Sequence, residues 1–185
     1  MIIIGITGTI GAGKGTIVDY LVEQHGFEHF SVRGFLIKRI RERGMEVNRD
    51  SMVIVANDLR AKNSPSYITD RLFEEALESG KNCVIESIRT PGEVISLRNQ
   101  KGFFLLAVDA NPRLRYERIV LRNSETDSVS FETFKENEAR EMHSDDPNKQ
   151  NLRRCIELAD FVLSNNGTIK ELEMQIEIVL NKLII

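Results

Sequence analysis

Near the N-terminus, glycines, a lysine and a threonine are spaced as polyphosphate chemistry requires: Gly8-Thr9-Ile10-Gly11-Ala12-Gly13-Lys14-Gly15-Thr16. Backbone N–H groups must approach phosphate oxygens closely, and side chains would obstruct them. Gly8, Gly11 and Gly13 remove that obstruction and admit unusual dihedrals. The loop feeds a helical segment from Ile17 to Val22, whose positive N-terminal end favours an anion. Lys14 supplies a point charge able to reach the β and γ phosphates. A β-branched strand precedes the loop, so strand, loop and helix follow in the order of a P-loop. One departure is visible: Gly15 stands where the strict pattern has Ser or Thr, and Thr16 comes one later.

Other charged groups are placed to handle phosphate. Val84-Ile85-Glu86-Ser87-Ile88-Arg89 ends an apolar run with a carboxylate that can hold magnesium or its waters. Three residues on, the Arg89 guanidinium can grip a phosphate bidentately. Arg33, after the second apolar run, is a further phosphate contact. Arg118 and Arg122 are four apart and project from one helix face. The three histidines show no metal spacing.

Elements must bring these groups together. Strand-like runs at Ile2–Thr7, Phe27–Ser31, Asn82–Ser87, Phe103–Asp109 and Asp160–Asn165 alternate with helix-periodic segments, which predicts an α/β fold with a parallel sheet. Phe103–Val108 lacks polar alternation, as expected of a strand covered on both faces. Helix starts are marked by Ser64-Pro65, Thr90 with Glu93, Asn111-Pro112, and Thr168 with Glu171. The stretch 123–150 is polar and is expected to be a helical lid insertion, with Arg140 able to close over the site. It contains no cysteine, which excludes a zinc-bearing lid.

The chain has 185 residues, 41% hydrophobic and 29% charged, which is one globular domain. A net charge of −3 argues against duplex binding, so no nucleic acid is expected as a partner. No apolar run reaches membrane-spanning length, and no signal peptide is apparent, so no membrane partner and a cytoplasmic location are expected. Cys83 and Cys155 lie in apolar stretches without CxxC or zinc spacing and are expected to be buried thiols.

Gly-x-Gly-Lys-Gly-Thr resembles the phosphate loop of adenylate kinase and related nucleoside-monophosphate kinases. Glu86 to Arg89 is similar to the Asp-Gly-x-Pro-Arg stretch of those kinases, with Glu for Asp and without the proline. Arg118 and Arg122 resemble the paired arginines that open the adenylate-kinase lid. Asn57-Asp58-Leu59-Arg60 and Ser64-Pro65-Ser66-Tyr67 resemble an archaeal adenylate-kinase-related family. Ser164-Asn165-Asn166-Gly167-Thr168 is similar to a turn near the adenine in dephospho-coenzyme A kinases.

The resemblance implies a P-loop NTPase fold, a three-layer α/β/α sandwich with a five-stranded parallel sheet in the order 2-3-1-4-5 and a helical lid. It implies one kinase domain over 1–185, an acceptor-binding helical region at about 33–80 and the lid at about 123–150. The implied activity is ATP- and Mg2+-dependent phosphoryl transfer to a small nucleotide, a (deoxy)nucleoside monophosphate. Dephospho-coenzyme A is the alternative acceptor. A nucleotide-binding regulatory module without turnover is the alternative of another class. Lys14, Arg118 and Arg122 are the expected catalytic residues. Gly8, Gly11, Ala12, Gly13, Lys14, Gly15, Thr16, Asn166 and Gly167 are expected to bind ATP. Arg33, Arg60, Glu86 and Arg89 are expected at the acceptor, and Thr16 and Glu86 at magnesium, Glu86 through water.

Overall fold

The computed structural model describes residues 1–122 and 129–183. Strand β1 (Ile3–Gly8) is buried at every position, because it is the middle of the sheet and both its faces are covered. β3 (Cys83–Glu86) and β4 (Phe103–Asp109) flank it in parallel, with Ile3 opposite Cys83 on one side and Phe103 on the other. β2 (Glu28–Ser31) extends the sheet beyond β3, and β5 (Phe161–Ser164) beyond β4. The order is β2-β3-β1-β4-β5, as the family resemblance implies.

The two-residue period of each strand divides the core. Ile3, Ile85 and Leu105 face helices α2 (Val32–Glu42), α3 (Arg49–Lys62), α4 (Tyr67–Ser79), α5 (Pro91–Arg98) and α8 (Leu152–Glu157). Ile4, Ile6, Leu106 and Val108 face α1 (Lys14–His25) and α9 (Ile169–Leu183). Each such side chain contributes about 1.5–3 kcal/mol when fully buried. Cys83 and Cys155 lie in the first core, both fully buried. Helix α6 (Pro112–Arg122) and helix α7 (Phe131–Met142) form a smaller third cluster, in which Ile119 and Phe134 pack on Ile10 of the glycine loop.

Most helix starts fall where the sequence marks them. Thr90 and Glu93 form a reciprocal capping box, and the Glu171 N–H donates to Thr168 Oγ1. The expectation for Ser64-Pro65 needs correction: α4 begins at Tyr67 with Ser66 as its N-cap. Tyr67 N–H donates to the Ser64 carbonyl in a preceding turn, and the Pro65 carbonyl accepts from Thr90 Oγ1 at 3.3 Å. The proline is thus used to pack the turn against α5 rather than to open a helix. The expected acceptor region, 33–80, comprises α2, α3 and α4. Of the expected lid, 123–128 lies outside the described residues, and α7 is its helical part. The chain returns to the sheet where Asn151 N–H donates to the Arg89 carbonyl at 2.9 Å.

Candidate active site

The glycine loop leaves β1 and enters α1 through Gly13, whose φ of 102° is open to glycine and strained for other residues. A Cβ there would lie 2.2 Å from Asn165 Nδ2. That same Nδ2 donates to the Ala12 carbonyl at 2.8 Å, so Asn165 braces the loop from β5. Lys14 is the first residue of α1, and its Nζ donates to the Gly8 and Thr9 carbonyls at 3.0 and 2.8 Å. Burial, followed by the nearby Arg89 charge, lowers its pKa to about 7, while Glu86 and Glu141 oppose the shift.

The loop opens onto a cleft of about 570 Å³. Gly11, Gly13, Lys14, Gly15 and Thr16 line one side, and Gly167 and Asn165 close the β5 end. Arg118 and Arg122 reach it from α6. Arg33 of α2, Arg49 of α3, and Glu86, Ser87 and Arg89 at and after the end of β3 complete the lining. The Arg118 guanidinium is oriented by a 2.9 Å bond from Nη2 to the Asn165 carbonyl, and its Nη1 is buried without a partner among the described residues. Ser31 Oγ donates to Glu86 Oε1 at 3.0 Å, fixing that carboxylate at the end of β3. Ser87 turns the chain out of β3 with φ 67°, a conformation unusual for a non-glycine residue.

Thr16 and Glu86 bring a hydroxyl and a carboxylate to the same cleft. Hard oxygen donors of this kind, with substrate phosphates and water completing the set, suit Mg2+. Among the described residues no group of three or more His, Cys, Asp or Glu forms a metal cage. The donor set therefore fits a nucleotide-borne magnesium rather than an all-protein site.

Several expectations are corrected by placement. Arg60 is not at the cleft: it is 2% exposed and its Nη2 donates to Glu93 Oε1 at 2.8 Å. The physical reason lies in Glu93, whose other oxygen accepts the Arg89 and Thr90 N–H groups at 2.8 and 3.0 Å and whose buried charge needs a cation. Asn166 points away from the cleft, accepting from Asn111 N–H at 2.7 Å and donating to Ser164 Oγ at 3.0 Å. It borders a separate depression with Arg113 and Leu114, and Asn165 takes the cleft position instead. Gly8 and Ala12 belong to the loop, where the Gly8 carbonyl accepts from Lys14 Nζ and the Ala12 carbonyl from Asn165 Nδ2. Arg140 is engaged with Asp50 at 3.2 Å on the outside of α7.

The sequence reading missed Arg49, Glu141 and Asn165. Glu141 is 3% exposed and receives Arg49 Nη2 at 2.8 Å, and its second oxygen receives Arg89 Nη1. Burial disfavours its charge, yet Arg89 and Arg49 hold the carboxyl below its ordinary range. Asn165 had a local signal, since it precedes the Asn-Gly turn that drew notice. Arg49 had a weaker one: a cation at the first turn of a helix opposes the dipole, which invites a functional explanation.

No helix among the described residues is long and apolar enough to cross a membrane. A family model described as an AAA domain matches residues 4–144. A UPF0200 protein of Methanocaldococcus jannaschii is 28% identical over 187 residues, spanning 100% of this chain and 91% of that one. A UPF0200 protein of Methanococcus vannielii is 30% identical over 168 residues, spanning 89% and 87%. Among solved structures, shikimate kinase from Bacteroides thetaiotaomicron is similar with a TM-score of 0.61 at 12% identity, over 97% of this chain and 98% of that one. Dephospho-CoA kinase from Campylobacter jejuni is similar with a TM-score of 0.53 at 14% identity, over 98% and 96%. At these identities the likeness is one of fold. The loop, the strand order and these matches together show that the chain belongs to the AAA-domain family, among the UPF0200 proteins, and has the P-loop kinase fold.

Proposed function

We propose that this protein transfers a phosphoryl group from Mg2+-bound ATP to a small nucleotide, a (deoxy)nucleoside monophosphate. The observation that carries the reading is the convergence of Lys14 with five arginines, 33, 49, 89, 118 and 122, on one cleft. A triphosphate on the glycine loop accounts for Lys14, Arg118 and Arg122. Arg33, Arg49 and Arg89, which also line a smaller recess beside the cleft, are the cations left for a second anion. The acidic chain as a whole makes that local concentration of positive charge a built feature.

The roles follow from the demands of phosphoryl transfer, which leaves the protein little covalent work beyond placement and charge neutralisation. The loop N–H groups and Lys14 bind and orient the triphosphate. Arg118 and Arg122 neutralise the oxygens of the transferring group. Arg89, with Arg33 and Arg49, holds the acceptor in line. Thr16, and Glu86 through water, hold the magnesium, which supplies Lewis-acid neutralisation of the phosphates. Helix α7, through Phe134 packed on Ile10, supports the glycine loop from behind.

Release of ADP, measured against a panel of ribo- and deoxynucleoside monophosphates and dephospho-coenzyme A, tests this reading. Acceptor-dependent ADP release with a monophosphate supports it. Release only with dephospho-coenzyme A transfers the activity to that acceptor, a reading favoured by Gly167 lining the cleft. ATP binding without ADP release for any acceptor overturns it in favour of a nucleotide-binding module.

A further inference from the structure

Beside the main cleft lies a recess of about 90 Å³, whose lining includes Arg33, Arg49, Arg89, Glu141 and Gln150. Ligand pockets for drug-sized molecules run to roughly 300–1,000 Å³, so the recess with Glu141 in place is small for a nucleotide. Glu141 projects into it from the last turn of α7. Its two oxygens take one guanidinium each, Oε1 from Arg49 at 2.8 Å and Oε2 from Arg89. Gln150 Oε1 takes a second bond from Arg89 Nη1 at 2.9 Å. Two anionic oxygens bridging two guanidiniums is an arrangement that an acceptor phosphate can also adopt.

Arg49 is placed where only an anion accounts for it. As the first residue of α3 it sets a cation against the positive end of a helix, which is locally unfavourable. Its Nε is buried without a hydrogen-bond partner among the described residues, although Nη2 is engaged by Glu141. A monodentate carboxylate contact thus leaves one donor of the fork unsatisfied, and a phosphate has the further oxygens to meet it.

We propose that the Glu141 carboxylate is a built-in competitor for the acceptor's anionic group, holding Arg49 and Arg89 until a phosphate displaces it and releases the C-terminal turn of α7. Arg49 is thereby an acceptor-binding residue, and α7 reports acceptor occupancy. The proposal rests on the phosphotransferase reading for the identity of the anion as an acceptor, but the competition itself is testable with inorganic phosphate alone.

Inorganic phosphate is titrated calorimetrically into the wild type, Glu141→Gln, and Glu141→Gln combined with Arg49→Gln. Removing the Glu141 charge also acts on Lys14 at the glycine loop, so the part of the gain that disappears with Arg49→Gln is the part assigned to the recess. Glu141→Gln is expected to bind phosphate about ten-fold more tightly, equivalent to about 1.4 kcal/mol, and the added Arg49→Gln to erase the gain. In the wild type, phosphate is expected to accelerate amide hydrogen exchange in the last turn of α7. Unchanged or weaker phosphate binding by Glu141→Gln overturns the proposal, because a carboxylate that merely orients the arginines would help the anion bind. Unchanged exchange in the wild type also overturns it and requires no variant to fold. An Arg49-dependent gain without ADP release from any nucleotide defeats the kinase reading alone; ADP release without the gain defeats the competitor alone.

Discussion

Lys14 carries two separable consequences. With its pKa lowered to about 7 by burial and Arg89, it is largely uncharged at alkaline pH, whereas a bound polyphosphate favours the ammonium. Binding above pH 7 therefore takes up a proton, and ATP affinity is expected to fall as pH rises from about 7 toward the ordinary lysine value of 10.5. Below pH 7 the group is already charged and contributes no further slope. Calorimetry in two buffers of different ionisation enthalpy measures the proton uptake directly. Lys14→Ala is expected to retain the fold and lose roughly 10²–10³ in single-turnover transfer rate, the scale for one transition-state donor. Near-wild-type turnover would remove Lys14 from its role. Lys14, Thr16, Glu86 and Arg89, which sequence reasoning placed at the cleft, lie at or soon after strand ends, where local order fixes position. Glu141 was illegible because its partner Arg49 is 92 residues away, and only tertiary folding brings them together.

At the scale of elements, β1, β3 and β4 were readable because continuous apolar runs can satisfy both covered faces of a parallel sheet. Helix α7 was readable as a helical excursion, but its docking was not. Its anchor is Phe134, 1% exposed, stacked with Phe131 and packed on Ile10 and Ile119. Phe134→Ala is expected to weaken α7 by about 3–5 kcal/mol, because the surrounding side chains only partly collapse into the space. Hydrogen exchange over residues 131–142 reads the loss. If α7 keeps its protection, its docking depends on the ion pairs made by Glu138 and Glu141 rather than on the aromatic contact.

Across the whole molecule, Arg60 shows why sequence resemblance and side-chain placement diverge. Its position in the chain resembled an acceptor motif, yet burial against Glu93 gives it a different task. Glu93 accepts both Arg60 and the Arg89 N–H, so the pair links α3, α5 and the backbone of a cleft arginine. Both side chains are almost fully buried, at 1% and 0% exposure, and removing one leaves the other's charge without compensation. Arg60→Ala is expected to cost about 3–5 kcal/mol in global stability, measured by urea denaturation. A loss below about 1 kcal/mol would mean that water reaches Glu93, which the packing does not predict. Global stability and cleft geometry are thus joined through one carboxylate, a connection that no local sequence pattern encodes.

Two thiols are sealed inside the first core. Cys83 and Cys155 are each 0% exposed, and burial raises the pKa of both, leaving little thiolate for reaction. A maleimide dye is therefore expected to label the protein only as fast as it opens. Labelling rates in native buffer would then time the spontaneous unfolding of individual molecules, with no engineered reporter; immediate labelling of either cysteine would show that its seal is broken.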